Sequence, residues 1–175
     1  MSDFELIHRP AISTKPVGSS DAFAMKAMPE GTLIQVLGKS GGEDLRLALQ
    51  GLFGAQANMI RTFGPGQWLV VRDEPTSHVD LQVAFEKLAS HAFAVDQTHG
   101  RIRIEVSGRA VMSVLAKGTA VDLEGMAIGK SAMTIMGHIS VHVTRCAADQ
   151  FELVVLRGFG QSLWDEIADL SIDLR

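Results

Sequence analysis

Cysteine is nearly absent from this chain: Cys146 is the only one among 175 residues. That excludes an internal disulfide framework and a zinc site built on several cysteines, and it fits a reducing cytoplasm. Cys146 itself reads as a small residue closing a strand, not as a nucleophile. Runs of Lys or Arg are also missing. With a formal net charge of −4 and a pI near 5.8, the chain offers no basic surface for nucleic acid or for an anionic membrane. No apolar run approaches the length of a membrane span. The opening "MSDFELIHRP" places Asp3 and Glu5 where a secretory leader would be basic, so no leader is expected.

The glycine fingerprints of nucleotide sites are absent as well. "QVLGKSGGEDL", Gln35 to Leu45, holds Gly-Lys-Ser between an apolar run and a helical pattern. A phosphate loop needs an upstream glycine, so that backbone N–H groups curl around the phosphates. That position is Leu33. In the second copy, Gly129-Lys130-Ser131, it is Glu124. Both stretches read as turns. No G-x-G-x-x-G follows a strand, and no G-x-S-x-G elbow occurs.

Apolar residues, by contrast, are plentiful. They make up 46%, and the 17 glycines bring the share to about 55%, against roughly 45–50% in ordinary domains. Mean hydropathy is +0.17. A dense core or a face covered by a partner accounts equally for this excess.

Residues 1–30 carry Pro10, Pro16, Pro29 and Gly18-Ser19-Ser20, and they read as an extended N-terminal arm. Within the arm, "LIHRPAI" is a candidate edge strand. Residues 31–175 read as one duplicated α/β (α+β) domain, with halves of about 31–93 and 100–174. In the first half, "TLIQVL" is a strand and "GEDLRLALQGLF" a helix with Glu43 and Asp44 at its positive end. "NMIRTF" and "QWLVVR" form a hairpin. "SHVDLQVAFEKLASH" is a helix opened by Ser77 and Asp80 in a capping-box arrangement.

In the second half "RIRIEVS" alternates, with Ile102, Ile104 and Val106 facing in and Arg101, Arg103 and Glu105 facing out. "GRAVMSVLAKG" is a helix. "SAMTIM" and "ISVHVTR" form a hairpin at Gly137, and "FELVVLR" is a central strand buried on both sides. "FGQSLWDEIADLSIDL" is the last helix, with Phe159, Leu163, Ile167, Leu170 and Leu174 in line. Gly38 and Gly108, 70 residues apart, end strands and open helices. Leu69-Val70-Val71 and Leu153-Val154-Val155 lie 84 apart. An insertion near "AVDLEGMAIGKSAM" absorbs the difference.

Side chains able to do chemistry are scattered. His138 and His142 lie roughly 13 Å apart along a strand at about 3.3 Å per residue, too far for one metal ion. His91, His99, His8 and His78 have no partners at ligand spacing. Asp96, in "AVDQTHGR", is the best polar candidate, with an Asx-type turn as its plain alternative. Trp68 and Trp164 read as core or interface. No catalytic, cofactor-binding or metal-ligating residue is assigned.

Three stretches carry a family resemblance. Asp96 to Leu123, Phe151 to Ile167 and Phe63 to Val71 together resemble the gamma subunit of heterotetrameric sarcosine oxidase. Its most specific parts are "LAKG…DL", Leu115 to Leu123, and "SLW", Ser162 to Trp164. Arg109, Thr119, Gly158 and Gly160 depart from residues usual in that family.

The resemblance implies a fold like the folate-binding domain of glycine-cleavage aminomethyltransferase, itself a duplicated unit. It implies alpha, beta and delta partner subunits. These would hold FAD, FMN, NAD and tetrahydrofolate, with zinc in the smallest. The complex would demethylate sarcosine oxidatively to glycine, giving hydrogen peroxide and formaldehyde or methylene-tetrahydrofolate, and this chain would be structural. The alternatives are a stand-alone folate-binding one-carbon protein and a subunit of a related methylated-amine dehydrogenase.

Overall fold

The computed structural model describes residues 9–13, 19–39 and 44–174. The described chain begins with a two-residue strand β1 (Ser19–Ser20), then β2 (Phe23–Ala27) and β3 (Thr32–Gly38). Helix α1 (Arg46–Phe53), the hairpin β4 (Ile60–Gly64) and β5 (Gln67–Arg72), helix α2 (His78–Leu88) and β6 (Ala92–Asp96) follow. Next come β7 (Arg101–Ser107), α3 (Val111–Ala116), β8 (Ser131–Met136), β9 (Ile139–Ala147), β10 (Gln150–Leu156) and α4 (Gly160–Leu170).

The strands form two antiparallel sheets. One has the order β4-β5-β3-β6, the other β1-β2-β7-β10-β9-β8. Period-two alternation gives each sheet two faces. Ile34, Val36, Trp68 and Val70 pack beneath α1 and α2 with Leu49, Phe53, Leu81 and Leu88. Ile104, Val106, Leu153 and Val155 pack beneath α3 and α4 with Val114, Leu115, Leu163, Trp164 and Ile167. The remaining faces meet each other, with Leu33, Leu69 and Val71 of one sheet against Val154 of the other. The layers therefore run helix, sheet, sheet, helix.

Local chemistry explains several boundaries. Ser77 Oγ accepts the Asp80 amide at 3.1 Å, which caps α2 as its sequence predicts. Helix α1 starts later than its pattern suggests. Asp44 lies before it, with Oδ1 accepting the Arg46 amide at 3.1 Å; Glu43 lies outside the described residues. The last helix is shorter at its start. A 3-10 turn at Arg157–Phe159 leaves Phe159 46% exposed, and the buried stripe is Leu163, Trp164, Ile167 and Ala168.

Three strands escape the sequence reading: the two-residue β1, β2 and β6. β6 pairs with β3 from Ile34 opposite Asp96 to Gly38 opposite Ala92. β2 pairs with β7 from Ala24 opposite Ser107 to Ala27 opposite Ile104. Residues 23–27 are thus part of a sheet, not of an extended arm, and Phe23 and Met25 belong to the core. Of the candidate edge strand "LIHRPAI", residues 6–8 lie outside the described residues and residues 9–12 form no strand.

β7 stands between β10 and β2 as β3 stands between β5 and β6. The turns match too: the Gly38 amide donates to Gly66 O at 2.9 Å and the Gly108 amide to Asp149 O at 3.0 Å. At Gly108 φ is +116°, and a Cβ would lie 2.5 Å from the Ala22 carbonyl oxygen.

Candidate functional site

The strongest concentration of polar chemistry lies between the two sheets. Glu152 sits in the middle of β10, in a run of residues that are otherwise apolar, and is 4% exposed. A carboxylate taken from water needs compensation by charge and hydrogen bonds. β7 supplies Arg103, whose Nε donates to Glu152 Oε1 and whose Nη2 donates to Oε2, both at 2.9 Å. This is the two-pronged fit of a planar guanidinium on a carboxylate. β4 supplies Arg61 from the opposite sheet, with Nη1 donating to Oε1 at 2.6 Å. Arg103 Nη1 also crosses the gap to Asp73 Oδ1 at 2.7 Å.

Burial alone raises the Glu152 pKa. The Arg103 hydrogen bond and the Arg61 charge outweigh it and hold the carboxyl at about 2. Burial likewise lowers that of Arg103, but the bonds and charges of Glu152 and Asp73 leave it raised.

His142 enters the same seam from β9 and is fully buried. Its Nε2 lies 2.9 Å from Thr62 O. A carbonyl only accepts, so Nε2 carries the proton and Nδ1 is bare. Burial first, with the charges of Arg61 and Arg101 adding to it, lowers the His142 pKa to about 4 against the pull of the Thr62 bond. The ring is neutral at pH 7. It stacks on Phe63 at 5.3 Å, and the Arg101 guanidinium lies 5.2 Å from that same phenyl ring. Three buried side-chain polar atoms among the described residues lack a hydrogen bond: Arg61 Nε, Arg101 Nε and His142 Nδ1. All three are in this seam.

Sequence reasoning missed this cluster. Arg103 was expected to face out; it faces a second sheet and is 5% exposed. The signal was present in the lone acid of "FELVV", since a strand buried on both sides that carries Glu requires a buried cation nearby. His142 and His138 do not share a face, because His138 lies in the exposed turn.

The remaining candidates take plain roles. Asp96 Oδ1 accepts the Thr98 amide at 2.9 Å, which is the Asx turn. Trp68 and Trp164 are core residues at 5% and 2% exposure. Cys146 lies near the end of β9. Lys39 of the Gly-Lys-Ser stretch is tied to a turn, with its amide on His91 O and its ammonium on Ala89 O. Ser40 to Glu43 lie outside the described residues.

Among the described residues no three His, Cys, Asp or Glu side chains group as a metal site. No described helix is long and apolar enough to cross a membrane.

Residues 32–173 match the model of the sarcosine oxidase, gamma subunit family. The chain belongs to that family. Among solved structures it is similar to a heterotetrameric sarcosine oxidase from Corynebacterium sp. U-96 in complex with pyrrole 2-carboxylate. The TM-score is 0.75 at 16% identity, over 90% of this chain and 88% of that one. It is also similar to the glycine cleavage system aminomethyltransferase T from Bartonella henselae, with a TM-score of 0.59 at 13% identity. That match covers 82% of this chain but only 44% of the transferase. No curated protein matches the chain. Membership in the gamma subunit family makes this a chain of the sarcosine oxidase type, an oxidoreductase assembly, and the fold is shared with aminomethyltransferase T.

Proposed function

We propose that the chain is the structural, non-catalytic gamma subunit of a cytoplasmic flavoenzyme that oxidatively demethylates sarcosine to glycine. The products are hydrogen peroxide and formaldehyde or methylene-tetrahydrofolate. The family match over residues 32–173 carries this reading. The seam supports it: Glu152 has both oxygens engaged by arginines, and His142 is wholly enclosed. Such groups fasten two sheets together; neither is placed to reach a substrate. Alpha, beta and delta subunits would hold FAD, FMN, NAD and tetrahydrofolate. We also read residues from about 31 to 93 and from about 100 to 174 as two copies of one unit within a single domain.

The test is recovery of the tagged chain from its native host. Co-purification with a flavoprotein that makes peroxide from sarcosine is the expected result. The purified chain alone is expected to be colourless and inactive. Peroxide formed from sarcosine by the chain alone, or no flavoprotein partner, would overturn the reading. Saturable tetrahydrofolate binding by the isolated chain would favour a stand-alone one-carbon protein instead.

A further inference from the structure

A cavity of about 400 Å³ lies where residues 10–12 cross the starts of β3 and β7. Its size falls within the usual range of small-molecule sites, roughly 300–1,000 Å³. The crossing segment is pinned at both ends. Arg157 Nη2 donates to Arg9 O at 3.0 Å, and the Ser13 amide donates to Gln161 Oε1 at 3.1 Å. Ile12, Met28, Leu33 and Ile102 give the cavity apolar walls.

Its charged lining is unbalanced. Lys26, Glu30, Arg101 and Arg103 are the titratable groups on it. Glu30 is held by Arg157 Nη1 at 2.7 Å, and Arg103 by Glu152 and Asp73. Among the described residues the Arg101 side chain has no carboxylate and no hydrogen bond; its guanidinium lies over Phe63, and its Nε is buried without a partner. Leaving a buried donor unmade is costly, and more so on a charged group. Burial lowers its pKa with no acid to offset the effect. Beside it, the Thr98 hydroxyl accepts the Leu33 amide at 3.1 Å and retains its own O–H to donate.

We propose that this cavity binds a small organic carboxylate, whose acid group pairs with Arg101 and Thr98 while its apolar body packs against Ile12, Met28, Leu33 and Ile102. A planar two-oxygen anion matches the guanidinium fork. A phosphate would call for free backbone amides, but those of Met28, Gly31 and Leu33 are already engaged. Lys26, exposed at the rim, adds attraction for an anion of any shape.

The test is calorimetric titration of the full chain, alone or with its co-purifying partners, using benzoate, benzamide and phenyl phosphate. Benzoate is expected to bind more tightly than the isosteric neutral amide by about tenfold, the scale of a charge-assisted hydrogen bond. Arg101→Gln should remove that preference without changing benzamide binding, and Met28→Trp should block both ligands by filling the apolar end. Thermal melting verifies that each variant is folded. The exposed Arg109→Gln is expected to bind like the parent. Equal binding of benzoate and benzamide, tighter binding of phenyl phosphate, no saturation at millimolar benzoate, or no effect of either folded variant would overturn the proposal.

Discussion

Replacing Glu152 by Gln is the sharpest probe of the seam between the sheets. Gln keeps the shape and removes the charge. Arg61, 6% exposed, then loses the only carboxylate it touches among the described residues, while Arg103 retains Asp73. Breaking a buried pair on one side costs about 3–5 kcal/mol, because the other charge stays buried and uncompensated. A second route gives the same scale. A carboxyl held at about 2 instead of 4.5 corresponds to about 3 kcal/mol, at about 1.4 kcal/mol per tenfold change in proton affinity.

The loss is large against a total stability of about 5–15 kcal/mol. Urea unfolding at pH 7, extrapolated linearly, measures it. The companion variant replaces Arg61, Glu152 and Arg103 together by Met. It should recover most of the loss, since apolar groups of similar volume avoid the desolvation of all three charges. A loss below about 1 kcal/mol for Glu152→Gln, the worth of an exposed ion pair, would refute the view that the seam is a dry ionic tie.

Acid should act on the fold in two steps. The folded His142 pKa of about 4 lies below its ordinary 6.5, so the neutral ring's contribution is full above pH 6.5 and is lost as pH falls towards 4. Glu152 adds a second loss from pH 4.5 down to about 2. In His142→Gln, which can still donate to Thr62, stability measured in urea should be flatter between pH 6.5 and 4. Gly108→Ala meets both φ +116° and the Ala22 carbonyl, and should cost more than about 2 kcal/mol on the same assay. Gly51→Ala, in α1 with open space around it, should stabilise by about 0.5–1 kcal/mol. Ser77→Ala removes the cap of α2 and should cost about 1 kcal/mol.

Periodicity carried most of the fold. The helices and the two hairpins were legible because each buries one clean face, as Leu81, Ala84 and Leu88 do on α2. β2 and β6 were not. "FAMKA" and "AFAVD" are short, rich in alanine, and lie beside turn residues; their strand character comes from the neighbours they pair with, which composition does not encode. Phe93 and Val95 stand on an exposed face, so even the alternation of β6 points its largest residues to solvent. The seam was hidden for a different reason. The outward face of "RIRIEVS" looks solvated until a second sheet is known to cover it. Nothing local pairs Arg61 with Glu152, 91 residues away.

The place of β2 in its sheet limits where the chain can be divided. The sheet formed by β3, β4, β5 and β6 is contiguous in sequence, whereas the other takes two of its strands, β1 and β2, from ahead of that whole unit. A cut at residues 97–100 therefore does not separate two self-sufficient pieces. The C-terminal piece would lack Phe23 and Met25 from its core and would leave the edge of β7 bare, a template for unwanted strand pairing. A ribosome delivers β2 long before β7 exists, so this early strand waits for the far half of the chain. A permuted gene in which residues 19–27 follow residue 174 through a flexible linker would place β1 and β2 next to their sheet in sequence, and would leave residues 9–13, tied to Arg157 and Gln161, as the early segment still crossing to the far half.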